Sequence, residues 1–131
     1  MIDHMSTYAT DFARTKAFYE AAFDALGYAP QMELVAEWNP EFSTQRMCAF
    51  GPPGKPAFWV IETKQQCTPR HVAFSAGSRS VVDVFHARAL SSGGRDNGAP
   101  GIRVMYHENY YGAFVIDPDG NNIEAVCHEP E

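Results

Sequence analysis

Cysteine, positive charge and long apolar runs are all scarce in this chain, and each shortage removes a class of protein. Three cysteines, Cys48, Cys67 and Cys127, occur in 131 residues. No pair stands at C-x-x-C spacing and the number is odd, so neither a disulfide framework nor a thiolate zinc site is suggested. They read as reduced small hydrophobes. Lys and Arg total 10 against 16 Asp and Glu, a formal net charge of -6, and that balance argues against a nucleic-acid backbone as partner. No run approaches the roughly 18 consecutive apolar residues of a membrane span, and the opening Met1-Ile2-Asp3-His4 lacks the basic-then-apolar layout of a secretory leader. A cytoplasmic protein without a membrane segment is therefore expected. With 45% apolar and 20% charged residues, the composition is that of an ordinary folded chain, and the length suits one domain with a full core.

What the chain does have is an internal repeat. At an offset of 67, His4 falls on His71, Phe18 on Phe85, Ala22 on Ala89 and Gly27 on Gly94. Ile2 to Tyr8 reads as a strand. From Asp11 a helix follows, with Thr15, Phe18, Tyr19, Ala22, Phe23 and Leu26 on one face and Gly27 as its stop. In the second half His71 to Ser75 is a strand, Ser78 or Ser80 can cap a helix with Val82, Phe85, His86 and Ala89 as its stripe, and Gly93-Gly94 ends it. Three strands are predicted after each helix. They are 28–36, 45–50 and 57–62 in the first half, and 102–106, 112–116 and 122–127 in the second, with Pro/Gly turns at 51–54 and 117–120. The predicted fold is α+β, two tandem βαβββ modules in a single domain. Module one spans 1–62, a polar connector 63–70, module two 71–127 and a tail 128–131. A module of this size leaves a sheet face uncovered, so the two must complete each other.

Against this frame four polar residues stand out. His4 and His71 lie in the first strand of each module, Glu62 and Glu124 in the last. Val60 and Ile61 precede Glu62, and Ile123, Ala125 and Val126 surround Glu124, so both carboxylates sit in apolar strands that call for a neutralising cation. Two imidazoles and two carboxylates form a donor set suited to Ni, Zn, Co, Mn or Fe(II), one divalent ion per site.

With Phe18-Tyr19 before Leu26-Gly27, with Arg70-His71-Val72-Ala73-Phe74, and with Asp117-Pro118-Asp119-Gly120-Asn121 leading into Ile123-Glu124, the chain resembles the vicinal oxygen chelate superfamily. That superfamily contains glyoxalase I, methylmalonyl-CoA epimerase, extradiol dioxygenases and the fosfomycin and bleomycin resistance proteins. The resemblance implies a glyoxalase-like fold whose curved mixed sheets cup a metal. It also implies a homodimer whose sites are completed by modules of different chains, acting on a small molecule. A histidine, histidine and carboxylate triad, as in the dioxygenases and fosfomycin-resistance enzymes, would correspond to His4, His71 and Glu124. The full quartet with Glu62 looks most like glyoxalase I. It implies a lyase or isomerase that moves a proton through a metal-bound enediolate of a 2-oxoaldehyde thiol adduct or similar compound, with Glu124 or Glu62 as base. Tyr8 stands where glutathione-using members often carry an arginine, which sets the resemblance apart from glutathione as co-substrate.

Arg14, Arg46 and Arg103 are candidate anion holders. Tyr106, His107, Asn109 and Tyr111, in the run 106–111, are candidate pocket residues, as are Trp38, a lid residue, and Trp59 beside the ligand strand. Two other classes of function fit the family. One is oxygen-dependent ring cleavage at Fe(II) by His4, His71 and Glu124 with Glu62 outside the shell. The other is a bleomycin-resistance-like binding protein that needs no metal.

Overall fold

The computed structural model describes residues 2–131. Ten elements follow in order: β1 (Met5–Ala9), α1 (Phe12–Asp24), β2 (Ala29–Val35), β3 (Arg46–Gly51), β4 (Phe58–Glu62), β5 (His71–Ser75), α2 (Arg79–Ser91), β6 (Arg95–Ile102), β7 (Tyr111–Ile116) and β8 (Asn122–Cys127). They form two four-stranded mixed sheets of identical topology, β1-β4-β3-β2 and β5-β8-β7-β6. In each, the first strand runs parallel to the last and the other pairs are antiparallel. The α+β fold of two βαβββ modules is the one the repeat predicts.

Local chemistry explains the helices. Asp11 caps α1 by accepting the Arg14 N–H at 3.2 Å, and Ser78 caps α2 by accepting the Val81 N–H at 3.3 Å, each satisfying an amide that has no partner inside the helix. The three-and-four spacing then turns Phe12, Thr15, Phe18, Tyr19, Ala22 and Phe23 of α1, and Val82, Phe85 and Ala89 of α2, into one shared core. Each sheet buries one face there. Phe58 and Val60 of β4, Phe74 of β5, Ala113 and Val115 of β7 and Ile123, Ala125 and Cys127 of β8 point inward. Phe74 of the second sheet packs against Phe23 at 4.8 Å and Phe58 at 5.3 Å, so the modules share a core.

A polar hub also ties the modules. The turn between β7 and β8 carries Asp119, which accepts from the Thr10 amide and hydroxyl at 3.0 and 2.9 Å and from the Thr15 hydroxyl at 2.8 Å. Asp117 accepts from Tyr19 at 2.5 Å, and burial together with this neighbouring charge holds the Tyr19 hydroxyl well above its usual pKa. Asp117, Asp119 and Asn121 are all buried, as acceptors can be when they are bonded.

One expected strand is misplaced. The sequence pattern predicts an extended segment at 102–106, but β6 runs Arg95–Ile102 and turns follow it. Its Asp-Asn-Gly-Ala-Pro-Gly composition resembles a loop. As the outer strand of its sheet, β6 tolerates glycine, proline and the register shifts between Asp96 and Gly101, because half of its backbone groups face no partner strand.

Candidate functional site

Side chains alternate across a strand, so the residues between those of the core share each sheet's open face. On the second sheet this face carries His71, Ala73 and Ser75 of β5, with Glu124 of β8 beside Ala73 and Phe114 of β7 opposite Glu124. His71 Nε2 lies 3.2 Å from Glu124 Oε2. Its Nδ1 is 3.0 Å from the Asn122 carbonyl. A carbonyl can only accept, so Nδ1 carries the proton and Nε2 is turned toward the carboxylate. The His71 ring stacks on Phe114, centroids 6.2 Å apart. Glu124 is 2% exposed, and its other oxygen accepts a hydrogen bond from the Tyr110 hydroxyl. Burial, that bond and the carboxylate charge push Tyr110 up to about 12, which keeps it a neutral donor at physiological pH.

The pair fits one divalent cation. Nε2 faces a buried carboxylate oxygen, and a nitrogen and a carboxylate oxygen in contact need a proton or a metal ion between them. Two adjacent ligands at about 2.1 Å from one ion would be about 3 Å apart, close to the 3.2 Å found. The Asn122 carbonyl and the Tyr110 hydroxyl are outer partners of the kind that orient metal ligands.

Such a pair on tandem βαβββ modules is what the family comparison bears on. The sequence model of the Glyoxalase/Bleomycin resistance protein/Dioxygenase superfamily matches residues 1–125. The chain belongs to that superfamily. No curated protein sequence matches it. A glyoxalase/bleomycin resistance protein from Albidiferax ferrireducens is 26% identical over 99% of each chain, TM-score 0.74. Two further structures share the fold at lower identity. A glyoxalase I mutant from Zea mays is 20% identical, TM-score 0.71, over 99% of this chain and 45% of that one. A fosfomycin resistance protein from Listeria monocytogenes, complexed with Mn(II) and 1S,2S-dihydroxypropylphosphonic acid, is 18% identical, TM-score 0.70, over 99% and 93%.

Within this glyoxalase-superfamily chain the expected quartet is not assembled. Among the described residues no three His, Cys, Asp or Glu side chains are grouped to hold a metal. His4 precedes β1, is exposed, and bonds Asp3 at 2.7 Å. By alternation it shares the first sheet's open face with Ser6 and Tyr8, whose partners are Trp59 and Ile61. Glu62 is on the opposite, helix-covered face. It receives Arg46 N at 3.0 Å, Nε at 3.2 Å and Nη2 at 2.8 Å, while the Arg46 guanidinium lies 4.9 Å from the ring centroid of Phe12 in α1. That ion pair holds the Glu62 carboxyl below its usual pKa. The reason is register. Ser6 pairs with Trp59, and Ala73, 67 residues further on, pairs with Glu124, so the residue of β4 equivalent to Glu124 of β8 is Trp59, and Glu62 has the opposite parity.

Other candidates separate in the same way. Arg46 is spent on Glu62. Tyr111 faces α2, donating to Asp83 at 2.6 Å, so it lies off the open face. Trp38 is 71% exposed. Tyr106 packs on Tyr110 at 4.8 Å. His107 is 2.8 Å from His128 and accepts the Asn109 amide at 3.1 Å. Tyr110, which bonds Glu124, lies inside the candidate run 106–111 without being one of its singled-out residues, and Phe114, on which His71 stacks, is not among the candidates of the sequence. The signal for Phe114 was period-two pairing opposite Glu124 once the hairpin is drawn.

Proposed function

We propose that the chain is a divalent-metal-dependent enzyme of its superfamily acting on a small molecule with two adjacent oxygens. His71 and Glu124 of one chain and His4 of a partner chain would be the ligands, in a homodimer. The observation that carries the reading is the His71 imidazole, fixed by the Asn122 carbonyl so that Nε2 meets buried Glu124. A bound ion would supply Lewis acidity to the two substrate oxygens. Tyr110 holds one oxygen of Glu124 and leaves the other toward His71. Phe114, and in the dimer the Trp59 that shares the sheet face of His4, would furnish apolar wall that excludes water.

In the lyase or isomerase form of this reading Glu124 is the base, since Glu62 lies on the other face. A second reading is favoured by that same placement. Two histidines and one carboxylate without a fourth protein ligand are the donors of oxygen-dependent ring cleavage at Fe(II). Elemental analysis of protein purified without chelator tests both. About one ion per chain is expected, lost in His71→Ala and retained in Glu62→Gln. Iron with oxygen uptake on catechols selects ring cleavage. Absence of metal in every preparation defeats both readings and leaves a binding protein.

A further inference from the structure

Three glycines line the open face of the second sheet where side chains would otherwise stand, and two of them, Gly98 and Gly101, make room for a single cation. A Cβ on Gly98 would come within 3.2 Å of Arg103 Nη2 and 2.9 Å of Phe114 Cδ2, and a Cβ on Gly101 within 3.2 Å of Arg103 Nη1. A Cβ on Gly112, which pairs with Gly101, would sit 3.1 Å from Glu124 Oε1. The Arg103 guanidinium therefore lies on the same face as Glu124. Its Nη1 donates to the Gly101 carbonyl at 2.8 Å and its Nη2 to the Ala99 carbonyl at 2.7 Å. The Cζ stands 5.4 Å from the Phe114 ring centroid, and Phe114 is the ring on which His71 stacks.

The loop after β6 explains how it gets there. The Arg103 amide donates to the Tyr110 carbonyl at 2.8 Å. The loop is thus closed at its base, and its two feet send Tyr110 to Glu124 and Arg103 to Phe114. Arg79 and Arg103 are the two arginines that are not exposed. Arg79 has the Glu131 carboxylate at 3.4 Å, whereas Arg103 has no carboxylate partner among the described residues. Its other N–H donors have no protein acceptor among the described residues, in a chain of net charge -6. A guanidinium immobilised in a glycine cradle, without counter-ion, beside an aromatic ring, is pre-organised for a planar two-oxygen anion.

We propose that Arg103 binds the carboxylate of the substrate, and that the substrate is a small carboxylic acid whose two adjacent oxygens reach the His71–Glu124 pair. This rests on the vicinal-oxygen reading of that pair. Arg103 and His71 stand 5.4 and 6.2 Å from the centroid of the same Phe114 ring, a separation suited to a single aromatic ring or a short chain.

The probes are catechol and 3,4-dihydroxybenzoate, which differ by one carboxylate, and inorganic phosphate. Calorimetric titration of the metal-loaded protein is expected to show 3,4-dihydroxybenzoate binding at least about tenfold tighter than catechol. That preference should vanish in Arg103→Gln and be partly retained in Arg103→Lys, with thermal melting confirming that both variants are folded. Phosphate added to metal-free protein should shift the Arg103 Nε–H resonance in a ¹⁵N spectrum. A carboxylate preference equal in wild type and Arg103→Gln, or absent from wild type, overturns the proposal while catechol binding upholds the vicinal-oxygen site. If neither diphenol binds but phosphate shifts Arg103, the anion site stands and the vicinal-oxygen reading fails. If phosphate leaves Arg103 unmoved and neither diphenol binds, both fail.

Discussion

A carboxylate's neighbours decide its work, and Glu62 and Glu124 show how far two residues of one type diverge. Glu124 is enclosed beside an imidazole and a tyrosine hydroxyl, an arrangement that a cation completes. Glu62 already has its cation in Arg46, whose guanidinium donates two hydrogen bonds and whose amide donates a third. The sign of the pH effect follows. Arg46 lowers the folded-state pKa of Glu62, so the pair stabilises the fold above the ordinary glutamate range, and the contribution is lost as pH falls through the lowered folded value. Glu62→Gln should therefore cost about 0.5–1 kcal/mol at pH 7, the scale of a partly exposed pair, and nothing once the wild-type carboxylate is protonated. Urea unfolding of both proteins at neutral and acid pH checks this. A difference that persists in acid would assign the effect to lost packing instead of charge. The sequence displayed both glutamates in apolar strands but not their parity, because parity depends on strand register, which the spacing between a histidine and a later glutamate does not define.

Elements were more legible than sites, and the helix ends show where legibility stops. The two helices stand at the same offset of 67 as the repeat, Phe12–Asp24 and Arg79–Ser91, because their caps and buried stripes are written in local chemistry. The glycine match at that offset, Gly27 on Gly94, is of a different kind. In α1 the Tyr28 amide bonds the Phe23 carbonyl across Gly27, which has φ +74°. In α2 the Gly94 amide bonds the Ala89 carbonyl across Gly93, with φ +98°. The residue doing the work of Gly27 is Gly93, one place earlier. Gly94 is glycine for space, since a Cβ there would meet Val115 Cγ1 at 2.5 Å, Phe18 Cε2 at 2.7 Å and the Ala89 carbonyl at 2.9 Å. The two alanine substitutions should differ accordingly. Gly27→Ala meets nothing within 4 Å and costs only the left-handed backbone, about 1 kcal/mol. Gly94→Ala drives into packed core and should cost about 3 kcal/mol. Denaturant midpoints for the pair give the comparison, and equal losses would mean that the packed core yields to the added methyl at position 94. Strand β6 was illegible for the complementary reason: its glycines serve contacts on the open face, and such long-range needs leave a local composition that reads as loop.

At the scale of the whole molecule, one chain holds its two modules rigidly and leaves both open faces without a covering layer. The shared aromatic core and the Asp117–Asp119 hub hold the sheets' inner faces together, so His4 cannot be brought to His71 and Glu124 by sliding one module over the other without breaking buried hydrogen bonds. The exposed apolar side chains Val104, Met105 and Tyr106 belong to the loop beside Tyr110 on the second sheet, and Trp38 follows the edge strand of the first. A partner copy covering these faces would supply what each lacks, and a two-fold pair would form two equal sites. Mixing variants tests this directly. In a heterodimer of His4→Ala and His71→Ala chains, one site would receive both altered residues and the other would have neither. Each variant alone should bind almost no metal, whereas the pair, unfolded and refolded together at equal amounts, should regain about a quarter of the wild-type metal per chain, since random pairing makes half of the dimers mixed and each has one intact site. Size-exclusion chromatography with light scattering fixes the stoichiometry beforehand. Mixtures that hold no more metal than the separate variants, from a protein shown to be dimeric, would place the whole site within one chain and remove His4 from it.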